Sequence, residues 1–238
     1  MESSLTDLEF AEIDVDTVFT HDARGRIVRQ NEPDGEPAPR FLFGRTRVGN
    51  NWRVRYDVPD DIARRLDELA ASEPVGDDLT SLPVHSDAMH EALGVDFEPG
   101  DSGYDLGYRF PEELPEFPGA TRITHENVSL LHRMVWDVAD AREGLDHGVI
   151  WTGMVVDGAV VSHCFSCRLT DRAAMAGLET LEAYRGRGYA PAVVAAWARA
   201  VRESGRIPLY STSHDNIASQ AVARKLGLVQ YAVGFGVE

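Results

Sequence analysis

Thr180-Leu181-Glu182-Ala183-Tyr184-Arg185-Gly186-Arg187-Gly188-Tyr189-Ala190-Pro191 is the stretch from which the rest of the chain can be read. Residues 174–180 ahead of it spell a strand. Ala192-Val193-Val194-Ala195-Ala196-Trp197-Ala198-Arg199-Ala200-Val201-Arg202 behind it spells a helix. A strand that passes through a glycine-rich turn into a helix offers an anion the first turn's N–H groups, which lack intrahelical partners. Gly186 and Gly188 can take positive φ and let that anion approach the main chain closely. Pro191 suits the first turn, where its missing N–H costs little.

Downstream, Gly205 is a natural residue to follow the helix, and Pro208-Leu209-Tyr210-Ser211-Thr212-Ser213 is a strand. His214-Asp215-Asn216 caps a helix carrying Ala218, Ala221, Val222 and Leu226, stopped by Gly227; residues 228–237 supply one or two closing strands. Upstream, Asp157-Gly158 between two β-branched runs, 149–156 and 159–168, predicts a hairpin. Residues 127–136 read as a helix with Leu130, Leu131, Met134 and Val135 apolar, and residues 119–124 as a strand. The order from 119 is βα, β-hairpin, β, α, β, α, β, an α/β domain.

The Pro/Glu-rich run 111–118 divides this domain, 119–238, from an N-terminal extension or small domain, 1–110. In that first part, residues 31–37 are a loop, and 40–44 and 51–56 are strands joined by a glycine-containing turn. Asp60 or Asp61 caps a helix over 61–72 with Ile62, Leu66, Leu69 and Ala70 on one face. A short helix lies near 87–93 within the turn-rich, acidic stretch 72–105. No motif there carries chemistry.

Composition narrows the function classes. The net charge is −16, and all of it sits in residues 1–118, with 27 Asp and Glu against 11 Lys and Arg; residues 119–238 balance at 12 each. An acidic half argues against nucleic acid as a partner, which wants a basic footprint, and serves solubility or draws a cationic substrate. There is no run of about 18 apolar residues, and Met1-Glu2-Ser3-Ser4 has no signal pattern, so the expectation is a cytoplasmic protein with no membrane partner. Cys164 and Cys167 form a C-x-x-C beside His163, but residues three apart on a strand point to opposite faces and no second ligand pair exists. No metal is expected.

Arg185-x-x-Gly188-x-Ala190 at a strand–helix junction resembles the signature of the GNAT superfamily of N-acetyltransferases. A second landmark, Asn216 followed eleven residues later by Gly227-Leu228, matches that family's pattern as well. The resemblance covers about 119–238 and implies a mixed, mostly antiparallel central sheet flanked by helices. A Walker loop is excluded because no Gly-Lys-Ser/Thr follows the first glycine. A dinucleotide fingerprint fails because Pro191 stands where a third small residue belongs.

The resemblance implies acetyl-CoA as co-substrate. Backbone N–H groups of Arg185, Gly186, Arg187, Gly188, Tyr189 and Ala190 would hold its pyrophosphate, with charge added by Arg185 and Arg187. The main chain at Leu178, Glu179 and Thr180 would pair with the pantetheine arm and polarise the thioester, and Asn216 and Ser219 would bond the pantetheine region. The chemistry implied is direct attack of a primary amine, on a small molecule or peptide, on the thioester. Here the chain departs from the pattern: the usual acid, a Tyr seven residues after the Asn, is Ala223, and the usual base, a Glu six residues before Thr180, is Ala174. Glu179 is the first replacement candidate for the base, with His163 on the neighbouring strand; Tyr210, Ser213 and Tyr231 are further candidates near the thiol. A non-catalytic acyl-CoA-binding or regulatory module is the alternative, and a domain binding some other nucleotide is a third. Residues 1–110 have three open roles: a wall of the acceptor pocket, a homodimer surface, or a diverged copy of the same fold.

Overall fold

The computed structural model describes residues 5–32, 38–95, 104–134 and 137–238. In chain order the elements are α1 (Asp7–Val18), β1 (Phe19–His21), β2 (Ile27–Gln30), β3 (Phe41–Thr46), β4 (Asn50–Val54), α2 (Asp60–Ser72), α3 (Ser86–Leu93) and β5 (Tyr104–Arg109). There follow β6 (Ala120–Ile123), a 3-10 turn (Val128–Arg133), α4 (Val138–Asp146), β7 (Trp151–Val156), β8 (Ala159–Leu169) and β9 (Ala173–Thr180). A second 3-10 turn (Glu182–Tyr184), α5 (Tyr189–Glu203), β10 (Ile207–Ser213), α6 (Ile217–Leu226) and β11 (Val229–Val237) complete the chain. They form two compact units: Met1–Arg109 with Ser211–Ile217 and Val229–Glu238, and Phe110–Tyr210 with Ala218–Leu228.

In the first unit β11 pairs antiparallel with both β3 and β5, and β3 pairs antiparallel with β4. Phe41, Phe43 and Phe235 from this sheet bury against Leu66 of α2 and Met89 of α3. The expected strands and helices near 40–56, 61–72 and 87–93 are all present. The cap of α2 differs from expectation: Pro59 holds the N-cap position, and Asp60 and Asp61 lie inside the first turn. There Asp60 complements the helix dipole and takes Arg24 and Arg26 at 3.0 and 2.6 Å. Helix α1 was not foreseen, although its signal was present: Thr6 and Glu9 form a reciprocal capping box.

The second unit holds the glycine-rich stretch. Strands β6, β7, β8 and β9 are successive antiparallel neighbours, and β9 pairs in parallel with β10. The sheet is therefore mixed and mostly antiparallel, as expected. Helix α5 covers one face, where Thr152 Oγ1 donates to Val193 O at 2.8 Å and buried Trp197 Nε1 donates to Ser166 Oγ at 3.2 Å. From the same helix, Arg199 and Arg202 clamp the proline-rich run through Pro115 O (2.8 Å) and Pro111 O (2.9 Å).

The other face packs on Val128, Leu131 and Met134. Where an α-helix over 127–136 was expected, Val128–Arg133 form a 3-10 turn. The buried positions 128, 131 and 134 recur every three residues, the period of a 3-10 turn, and the true α-helix on this face is α4. Residues 228–237 form one strand rather than two. Four sequence readings lie outside the described residues: the N-terminal segment 1–4, the loop residues 33–37, the 96–103 part of the turn-rich stretch, and Val135 with Trp136. No helix of the described residues is long and apolar enough to cross a membrane.

Strand β8 carries two irregularities. Met154 pairs with Ser162 but Val155 with Val160, so Val161 is an extra residue. Ser166 pairs with Ala176 but Arg168 with Met175, so Cys167 is another. Each β-bulge moves the register by one and exchanges the faces that partner side chains share. Gly177 lies opposite Phe165, and a Cβ there would stand 2.7 Å from the Phe165 ring and 3.0 Å from Cys167 Cβ. Gly177→Ala is expected to lower stability by about 1–3 kcal/mol through overpacking, read as a shifted midpoint in chemical denaturation. An unchanged midpoint would mean that the ring yields freely.

Candidate active site

The strand–turn–helix junction is built as the spacing suggested, and its turn is the candidate cradle. β9 ends at Thr180, a 3-10 turn takes the chain to Tyr184, and α5 starts at Tyr189 with Gly188 as N-cap. Gly186 and Gly188 both sit in the left-handed region, at φ 76° and 80°. A Cβ on either would meet nothing within 4 Å, so the space above the turn is open to a ligand. The first turn of α5 has no acidic residue to offset its positive end. One expected donor is already committed, since Arg185 N–H donates to Glu182 O at 3.1 Å. The arginines brace the turn: Arg185 Nε donates to Thr180 O at 3.2 Å, and Arg187 Nη2 donates to Ala183 O at 2.9 Å. The Arg187 guanidinium also lies 5.0 Å from the centre of the Tyr184 ring.

The strand beside the cradle has an open edge. Pairing between β9 and β10 runs from Ala173–Ile207 to Met175–Leu209 and stops there. Leu181 N–H donates to Val161 O of β8 at 3.0 Å. By the alternation of an antiparallel ladder, the N–H and C=O of Leu178 and Thr180 therefore point away from β8, past the end of the β10 pairing. An extended ligand arm can pair with such an edge.

The two catalytic candidates meet directly. His163 and Glu179 are cross-strand partners, and their Nε2 and Oε2 atoms are 3.6 Å apart. Glu179 is partly open, with 39 % of its side chain exposed, whereas His163 is buried. Buried Trp151 donates its indole Nε1–H to His163 Nδ1 at 2.9 Å. An indole nitrogen only donates, so Nδ1 must be the bare nitrogen and Nε2 carries the proton of the neutral ring. Burial pushes the imidazole pKa down to about 4. Phe165 completes the cluster, stacked on Trp151 at 4.8 Å and 5.3 Å from His163. Sequence reasoning missed Trp151: nothing in its local pattern marks it, and only the bulged register sets it on the face of His163.

The other candidates have different employment. Tyr231 belongs to the first unit, is buried, and donates to Asp14 at 2.5 Å while stacking on Phe10. Tyr210 is buried with its hydroxyl 2.6 Å from Ser219 Oγ, which ties Ser219 to β10. Ser213 Oγ donates to Asp215 Oδ1 at 2.7 Å, and Asn216 N–H to Ser213 O at 3.2 Å, just ahead of α6. Ser162 and Thr180 share a hydrogen bond of 2.7 Å between their hydroxyls. Ala174 and Ala223, at the two positions where the family pattern puts acid–base side chains, are both buried. Cys164 is fully buried, and Cys167 sits on the Phe165 face with its thiol toward Met175 O. Among the described residues no group of three His, Cys, Asp or Glu is placed to hold a metal.

The buried imidazole gives stability a defined pH dependence. An unfolded His takes a proton below its ordinary 6.5, the folded one only near 4. Between those values the unfolded chain binds more protons, so stability falls as pH falls through the window. The loss amounts to roughly 3 kcal/mol. Denaturation profiles from pH 7 to 4 should therefore be steeper for the wild type than for His163→Gln by about that amount. Parallel profiles would show that the ring is already charged or solvated in the folded protein.

Residues 142–232 match a family profile described as GNAT acetyltransferase. A search of curated protein sequences finds no significant match. Among solved structures, a GNAT-family acetyltransferase from Colwellia psychrerythraea is 15 % identical, with 79 % of this chain and 76 % of that one covered at a TM-score of 0.50. A GCN5-related N-acetyltransferase-like protein from Streptococcus suis 89/1591 is 17 % identical, covering 85 % and 86 % at a TM-score of 0.46. The aminoglycoside N-acetyltransferase AAC(6')-Iy, solved with CoA, is 22 % identical, covering 45 % and 89 % at a TM-score of 0.35. At these identities the structural likeness speaks for the fold alone, and the first carries it. The resemblance read from Arg185-x-x-Gly188-x-Ala190 is thus matched independently: over residues 142–232 the chain is similar to the GNAT acetyltransferase family.

Proposed function

We propose that this protein is an acetyl-CoA-dependent N-acetyltransferase acting on a primary amine of a small molecule or peptide. The observation that carries the reading is the cradle at 185–190, with two left-handed glycines facing open space at the start of α5, inside the family-matched region. The N–H groups of Gly186, Arg187, Gly188, Tyr189 and Ala190 would hold the pyrophosphate. The outward edge of β9 at Leu178 and Thr180 would align the pantetheine arm. Asn216 and Ser219 keep the roles in binding that arm which the resemblance implies. The bound co-substrate supplies the acetyl thioester.

Glu179 is the proposed base. It lies one residue from the Leu178 edge, its side chain is partly open, and it can accept a proton from the incoming ammonium directly or through water. The amine nitrogen then bonds to the carbonyl carbon and gives its second proton to solvent, the C–S bond breaks, and the sulfur leaves as a thiolate that takes a proton from solvent. A main-chain N–H on the β9 edge is the donor suited to the oxyanion. The aminoglycoside acetyltransferase among the structural neighbours extends the acceptor panel to polyamine sugars. Buried Ala174 and Ala223 favour the second reading, a module that binds acyl-CoA without turning it over.

Calorimetry with acetyl-CoA and a thiol-release assay over a broad amine panel separate the two. Binding with thiol release is expected, and Glu179→Gln should lower kcat on the order of 100-fold or more with acetyl-CoA affinity unchanged. Gly188→Val, strained at positive φ and projecting a side chain into the cradle, should weaken acetyl-CoA binding by about tenfold or more. Binding without turnover across the panel would establish the second reading, and no binding at all would sink both.

A further inference from the structure

We infer that Trp151 and His163 are a positioning pair for Glu179: the indole holds the imidazole with its Nε2–H toward Glu179 Oε2, leaving the other carboxylate oxygen for the acceptor amine. This rests on the proposed reading of Glu179 as the base.

Three observations support it. First, the order of donors is unambiguous. Trp151 Nε1–H can only give, so His163 Nδ1 must receive, and the neutral ring's single proton is on the nitrogen that faces Glu179. Second, the imidazole is clamped. It is 1 % exposed, contacts the rings of Trp151 and Phe165, and lies on the face packed by Val128, Leu131 and Met134. A donor held this firmly can orient a partner that is itself only partly buried. Third, the placement is built rather than incidental, because both β8 bulges are needed to bring Trp151, His163 and Glu179 onto one face. The 3.6 Å separation exceeds a formed hydrogen bond, and catalytic hydrogen bonds are commonly long before substrate binds. A neutral donor also places no cation beside the carboxylate that must receive an ammonium. His163 is on this account not a base: its bare nitrogen, Nδ1, is taken by the Trp151 indole, and the buried ring does not reach solvent.

The full-length protein with acetyl-CoA and its best amine provides the test. In the wild type, 15N spectra of His163 should show a protonated Nε2 and a bare Nδ1, and Trp151→Phe should release that tautomer into a mixture. His163→Leu should lower kcat on the order of 10- to 100-fold, the scale for misplacing a catalytic group, with KM for acetyl-CoA unchanged. His163→Gln, whose amide can still donate to Glu179, should recover most of the loss. Equal damage from Leu and Gln would assign His163 to packing alone and overturn the inference. So would wild-type kcat in His163→Leu while Glu179→Gln is inactive. Full activity in Glu179→Gln would instead remove the reading of Glu179 as base and the inference with it.

Discussion

The register of β8 is the constraint on which the candidate site depends. Two extra residues in this one strand, Val161 and Cys167, set what lies on each face. Without the first, Trp151 would share a face with Cys164 and point toward α5. Without the second, His163 would oppose Thr180, and Glu179 would turn to the α5 side. A single-residue slip exchanges every side chain across a sheet, so two compensated slips can assemble a polar cluster that no regular hairpin would hold. The neighbouring glycines fit the same arrangement. Gly177 makes room for Phe165, and Gly153, opposite His163, makes room for Val160.

The second unit separates two tasks between the faces and edge of one sheet. The α5 face is apolar and closed by Thr152, Ser166 and Trp197, which satisfy their polar atoms internally. That closure anchors α5, and the start of α5 presents the cradle. The opposite face carries the Trp151–His163–Glu179 series, dry at the indole end and open at the carboxylate. Between them the β9 edge turns the Leu178 and Thr180 main chain outward where β10 no longer pairs. The proposed roles of anion holding, main-chain alignment and proton acceptance thus fall on three adjacent parts of one strand–turn–helix unit.

The cradle was legible because its requirements are local. Positive φ at Gly186 and Gly188, the tolerated Pro191, and a helix behind them are all written within a dozen residues. The hairpin at Asp157-Gly158 was legible for the same reason, whereas its register was not, since the bulge depends on how β8 packs on both neighbours. The 3-10 turn at Val128–Arg133 was not legible because Leu130 and Leu131 suggested a wide helical stripe; burial chose 128, 131 and 134, three residues apart. Helix α1 was missed because its apolar residues are scattered among acids, although its capping box stood in plain view. The contacts of Tyr231 were not legible, because they depend on how β11 pairs with β3 and β5 and on Asp14, which takes its hydroxyl.

The sequence by itself determined the family-like strand–turn–helix with its two left-handed glycines and the order of elements from β7 onward, because backbone conformation at glycine and proline is set by the residue itself. Tertiary structure alone decided that Glu179 meets His163, that Trp151 sets the proton on the imidazole, and that Asp14 takes the Tyr231 hydroxyl. Those are facts of strand register and burial, which depend on contacts between residues far apart in the chain.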